Sequence, residues 1–323
     1  MESLQVMKSL PEVDRYMRFL RLLTPQVSTT PDFGQSVDSP NLFFVDGVNG
    51  SDNNNGKDPA APKATIQAAI DDTVSGRGDI VFIMPGSYDE NLTLADKDYV
   101  ALVGALLPGY ARPDIVPTTG VALDINTSQG TVLIGCRFYS ADADVVQNEG
   151  NGFHFENCVF DGDTGQAATE ALLRLKGNAT DDGYTSSEGL IVDCLFRGSN
   201  GFGIAIDEAP VAAAGVGSTH LVVRRCRFID NAQEDLIALA SEAGGVYSMQ
   251  DCLFDVCYFM KKNKATYIDI STNNGTGNTD NMFSGCFFND DTIDGTAVKM
   301  ASTGSGLVGC YSLDGVINGD TLD

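Results

Sequence analysis

The sequence predicts an all-β chain wound as a single-stranded parallel β-helix, and three observations carry that expectation. Seven of the eight cysteines have phenylalanine two places later, although Phe makes up only 17 of 323 residues. These pairs are Cys136/Phe138, Cys158/Phe160, Cys194/Phe196, Cys226/Phe228, Cys252/Phe254, Cys257/Phe259 and Cys286/Phe288. An apolar residue stands three places before each ladder cysteine: Leu133, Phe155, Ile191, Val223, Met249, Phe283 and, ahead of Cys310, Leu307. Composition agrees, because 35 Gly, no Trp and 20% charged residues suit a turn-rich β protein better than a helical one.

Taking Cys252 as the fifth rung, the spacings along the ladder are 22, 36, 32, 26, 34 and 24 residues. A floor with variable excess is the pattern of coils that carry loop insertions on a fixed core. A second apolar strand precedes each cysteine strand: 121–125, 171–175, 203–206, 235–239, 266–270 and 296–300. Gly135, Asn157, Asp193, Gly285 and Gly309, one place before their cysteines, supply a bend that brings the apolar, Cys and Phe positions to one face. One such unit cannot bury its inner face alone, but units stacked about 4.8 Å apart can. Small Cys and flat Phe then pile on copies of themselves. Free Cys packs as a small hydrophobe, and no CxxC or Cys/His cluster is present, so neither a metal nor a cofactor is expected.

Charge narrows the partners. Lys and Arg total 20 against 44 Asp and Glu, a formal charge of −24. Such a chain repels phosphate backbones, so nucleic acid is not an expected partner. No run approaches the roughly 20 apolar residues needed to span a bilayer, and the amino terminus lacks the features of a secretory signal.

Ahead of the ladder, LFFV (42–45) reads as a strand followed by an Asn/Gly/Asp-rich loop. Thr65 to Val74 reads as a short amphipathic helix with Ile66, Ala69, Ile70 and Val74 on one side. Strands follow at 79–84, 91–94 and 99–104, the first ended by the Pro85-Gly86 turn. Through ATIQAAID and PGSYDENL this passage resembles the opening of pectin-lyase-like right-handed β-helix proteins. The likeness covers about 42–104 by motif and 121–314 by coil pattern. It implies a right-handed coil plugged at its open end by the short helix. It does not imply one activity, since lyases, hydrolases, esterases and virus spikes share this fold. The nearest wording is that of pectin methylesterases, but their Gln-Asp-Thr-Leu tetrad and Phe-Ile-Phe-Gly segment are not found.

Candidate chemistry rests on carboxylates. Glycoside hydrolysis needs two of them about 5–9 Å apart, and turns after the cysteine strands supply many. They are Asp142, Asp144, Asp161, Asp163, Asp230, Glu234, Asp235, Asp255, Asp290, Asp291 and Asp294. Asp161 with Asp142 is one such pair; the competing reading is solvated turn acids that block edge pairing. The loop Asp46–Asp58 invites calcium, but an EF-hand frame on Gly56 places Pro62 where Glu is required, so a polar turn is the default. His154 and His220 have no nucleophile at a recognisable spacing and read as surface or strand-edge residues.

Two further features suggest association. Val13, Tyr16, Met17, Leu20 and Leu23 fall at helical spacing in residues 1–40, whose first 24 residues carry net charge +1. This reads as a docking arm, with a second end cap as the alternative. One place after each ladder Cys stand Arg137, Val159, Leu195, Arg227, Leu253, Phe287 and Tyr311, an outward stripe that is mostly apolar. The expected organisation is an N-terminal arm (1–40) and a β-helix domain (41–323). The expected function is that of a non-enzymatic virion structural protein. In this reading it is a homotrimeric head decoration docking through the arm on a major capsid or other virion protein. The alternative is a tailspike-like polysaccharide-binding or polysaccharide-degrading protein.

Overall fold

The computed structural model describes residues 40–106, 111–176, 186–207, 216–238, 247–260, 266–270, 280–289, 298–299, 305–313 and 315–319. The expected arm, with Val13, Tyr16, Met17, Leu20 and Leu23, lies outside the described residues.

The chain is a parallel β-helix in which a full coil contributes a short strand to each of three ribbons, and in two coils a fourth strand, Val216–Thr219 and Tyr247–Gln250, forms a separate two-stranded parallel sheet. The first ribbon runs from Leu42–Val45 and Ile80–Ile83 through Ala101–Gly104, Val132–Ile134, His154–Glu156, Leu190–Val192, Val222–Arg224, Leu253–Asp255 and Met282–Ser284 to the start of Gly306–Ser312. The second includes Arg137–Tyr139, Val159–Asp161, Leu195–Arg197, Arg227–Ile229, Tyr258–Phe259 and Phe287–Phe288. The third includes Leu92–Thr93, Leu123–Ile125, Val146–Asn148, Ala171–Leu175, Phe202–Ile206, Leu236–Ala238, Ile268–Asp269 and Val298–Lys299. All these pairings are parallel, and Gly315–Gly319 folds back antiparallel on the last strand. The two strands expected per unit are therefore three, because the apolar position before each Cys belongs to a strand of its own.

Two columns of left-handed residues flank the first ribbon. Tyr99, Gly130, Gly152, Glu188, His220, Asp251 and Asp280 precede it at φ of 52° to 64°. Gly135, Asn157, Asp193, Arg225, Val256, Gly285 and Gly309 follow it at φ of 51° to 71°. A single positive-φ residue turns the chain sharply, so the next side chain points into the tube. The amides of this second column continue the ladder through the corner: Gly135 donates to Glu156 at 3.0 Å, Asn157 to Val192 at 3.0 Å and Val256 to Ser284 at 2.8 Å.

The N-terminal mouth is closed by the helix Ile66–Asp71, which buries Ile66, Ala69 and Ile70. It is shorter than expected, and Val74 lies beyond it, exposed. Its amino end is held by three acceptors. Asp52 takes the amides of Ala64 and Thr65, Glu90 takes those of Ile66 and Gln67 at 2.9 Å each, and Thr65 Oγ1 takes that of Ala68. This gives the PGSYDENL wording a physical meaning: its glutamate caps a helix 24 residues upstream.

Candidate functional site

The register assigns the thiol column. Arg137, Val159, Leu195, Arg227, Tyr258, Phe287 and Tyr311 are successive lateral partners. The residue before each is therefore Cys136, Cys158, Cys194, Cys226, Cys257, Cys286 and Cys310. Cys252 and Phe254 are corrected: Leu253 pairs with Val222, and Phe254 with Val223 and Phe283, so both belong to the first ribbon. In CLFDVCYF the two Cys-x-Phe words are five residues apart, which is also the offset between the first two ribbons. Leu253 accordingly leaves the predicted stripe, and Tyr258 takes its place.

All eight thiols are buried and unpaired as disulfides. Each column thiol donates to the carbonyl two residues back, as Cys194 does to Val192 at 3.3 Å and Cys226 to Arg224 at 3.4 Å. Several also reach the preceding coil, as Cys310 does to Phe283 at 3.3 Å. The sulfur thus satisfies a corner carbonyl that alanine would leave with one partner fewer. Burial pushes the thiols of Cys136 and Cys194 up, and that of Cys252 to about 12. The thiol hydrogen bond from the preceding coil, and then burial, raises those of Cys286 and Cys310. The five thiols so raised are core groups withheld from nucleophilic chemistry, while in Cys158 and Cys226 burial is outweighed by hydrogen bonds from neighbouring thiols, which lower them. Beside them Phe138, Phe160, Phe196, Phe228, Phe259 and Phe288 stack, with centroids 4.7 to 5.0 Å apart from Phe160 onward.

The predicted carboxylates are mostly engaged. Asp161 lies between Arg137 Nη2 at 2.7 Å and Arg197 Nη2 at 2.8 Å, while Asp142 accepts the Gly120 amide at 2.7 Å. Asp163 accepts from Tyr139, and Asp255 pairs with Arg224 at 2.9 Å. Buried Asp235 accepts from Asn231, and Asp230 stands exposed at a positive-φ turn. Asp290, Asp291 and Asp294 lie outside the described residues. In the Asp46–Asp58 loop, Asp46 accepts from Val48 and Asn49 and Asp52 caps the helix, so both carboxylates are occupied by the chain's own donors. Half-buried His154 sits 3.4 Å from Glu156 and is lowered by burial. Exposed His220 occupies a positive-φ corner 3.9 Å from Asp251. Among the described residues no three His, Cys, Asp or Glu gather as a metal site.

A denser cluster was not legible in the sequence. On the outer face of the third ribbon, Arg174 bridges Asp144 at 2.7 Å and Asp207 at 2.9 Å. Asp144 also accepts from Ala171 and Gln147. Glu170 is raised by burial and then by its hydrogen bond with Asp144 and that neighbour's charge. Burial also raises Asp207, Asp124 and Glu149, with Arg174 or Lys176 opposing it. Sequence flagged Asp144 alone, because its partners come from residues 26 to 63 places further on.

The second ribbon's outer face changes character along the rod. Arg137, Asp161 and Arg197 cover it with ion pairs near its middle, where Val159 is buried and Leu195 half-buried. Over the last coils Tyr258, Phe287 and Tyr311 form one column, with Tyr258 42% and Tyr311 48% exposed. Val256, Met260, Val308 and Leu313 border it, also exposed.

No protein-family model and no curated protein matches the chain. Among solved structures it is similar to a pectin methylesterase from Aspergillus niger, at 12% identity and TM-score 0.49 over 86% of this chain and 89% of that one. A Geobacillus virus E2 protein shares 13% identity at TM-score 0.38 over 77% and 58% of the two chains. A Streptococcus pneumoniae surface adhesin shares 11% at TM-score 0.38 over 76% and 77%. At these scores the likenesses carry no argument about function. The class, a parallel β-helix protein with a helix-plugged mouth, rests on the chain's own strand register.

Proposed function

We propose that the chain is a non-enzymatic structural protein of a virion, a surface decoration that self-associates through the bare face of its last coils. The observation that carries this reading is the aromatic column Tyr258, Phe287 and Tyr311 with its apolar border. Contiguous apolar surface of this kind marks an interface. On a body of charge −24 copies repel one another, and contact between apolar faces is what offsets that repulsion. The homotrimer, and docking on a major capsid or other virion protein through residues 1–40, follow from the sequence reading. The test is the sedimentation mass of the full chain: a trimer supports the reading, and a monomer across the accessible concentration range ends it.

The alternative reading is a spike that binds or cleaves polysaccharide, with the Arg174, Asp144 and Glu170 cluster as the place to test it. Reducing-sugar release from envelope glycans, abolished by Glu170→Gln, would establish it in place of the structural one.

A further inference from the structure

The first coils carry an outward face that is apolar and yet withdrawn from water. In the register Leu42, Ile80, Ala101 and Val132 form one column, and Phe44, Phe82, Val103 and Ile134 the next. Their chain neighbours Phe43, Val45, Val81, Ile83, Leu102 and Leu133 pack inside the tube, so these two columns point outward. A separate cluster, Ile80, Phe82, Met84, Ala101, Val103, Ala105, Val132 and Ile134, is nevertheless only 0–8% exposed, with Leu42 and Phe44 packed at its edge. One coil further along the same columns become His154 and Glu156, where the apolar face stops.

We propose that residues 1–39 cover this face, with the apolar side of the 13–23 stretch laid across the four strands. Chain continuity places the end of that segment at Leu42, on the edge of the face. Size agrees: four strands span about 14 Å between the first and the last, and eleven helical residues span roughly 16 Å. Val13, Tyr16, Met17, Leu20 and Leu23 supply the apolar side, while Arg15, Arg18 and Arg21 fall largely on the other. The inference deepens the assembly reading: the arm's apolar side is held by its own first coils, and its cationic side is what it offers an acidic partner.

Two measurements on the full-length chain test this. Met17→Asp with Leu20→Asp should uncover the face, raising the fluorescence of an apolar-surface dye several-fold and lowering the thermal midpoint by several degrees. Arg15→Ser with Arg18→Ser should change neither. An unchanged first variant, or equal effects in both, overturns the proposal. Independently, Arg18→Cys paired with Leu106→Cys should be joined within one chain by a short bismaleimide, since the native thiols are buried and Leu106 is exposed at the face's edge. A link between chains would assign the face to a second copy, and either that or no link overturns the proposal. A monomeric sedimentation mass would end the association reading and leave this one standing.

Discussion

Phe196 lies flat on Phe160 from the preceding coil, ring centroids 4.7 Å apart and planes 5° from parallel. Both rings are fully buried, and Phe228 continues the stack on the far side at 4.9 Å. Phe196→Ala therefore removes one ring from between two others, in a tube whose backbone spacing cannot close the gap. The expected cost is about 3–5 kcal/mol, read as a lower urea midpoint. A surface-like loss under about 0.5 kcal/mol would contradict the stacking.

Gly189 faces Phe153 across one coil step. A Cβ built on it would lie 2.1 Å from the Phe153 ring, which is 1% exposed and held by Phe155 at 4.7 Å. Gly189→Ala should destabilise by at least about 1–3 kcal/mol. Phe153→Leu should cost less in that background than in the wild type, a coupling read from a double-mutant cycle in thermal melts.

Val256 sits at φ 55° at the corner before Cys257. A β-branched residue there is strained by about 1–2 kcal/mol, whereas Asn tolerates the conformation. Val256→Asn is expected to raise stability by about 1 kcal/mol in equilibrium urea unfolding. A loss of stability would contradict the corner geometry.

Two sets of carboxylates give opposite pH dependences. Burial pushes Asp79 up, but Arg77 and the amides of Asn41 and Val74 outweigh it and hold it low. Its stabilisation is present above the unfolded value of about 3.9 and is lost as pH falls through the lower folded value. Glu170 and Asp207 are raised, so their contribution is complete below about 4 and is lost as pH rises through their folded values. Thermal midpoints against pH should decline on both sides. Asp79→Asn should flatten the acid limb and Glu170→Gln the other; a limb unmoved by its variant would contradict the assignment.

The coil was legible because stacking repeats the same inward residue types, and Cys with Phe is rare enough to stand out. What the pattern could not decide was lateral register: Cys252/Phe254 and Cys257/Phe259 are equally good words, and only the pairing of Tyr258 with Arg227 separates them. Arg225 and Val256 were missed as corner residues because neither type announces a positive φ. Strands as short as Val146–Asn148 carry too few residues for a periodic signal. The Arg174 cluster joins side chains from separate coils, and no local motif encodes such a meeting.

The most direct test of self-association through the last coils compares the full chain with a Tyr258→Asp, Tyr311→Asp variant by sedimentation at equal concentration. Both residues are exposed, so the fold should survive their replacement, as far-ultraviolet circular dichroism would verify. The account predicts a trimer for the wild type and a monomer for the variant. Equal masses for the two would contradict it.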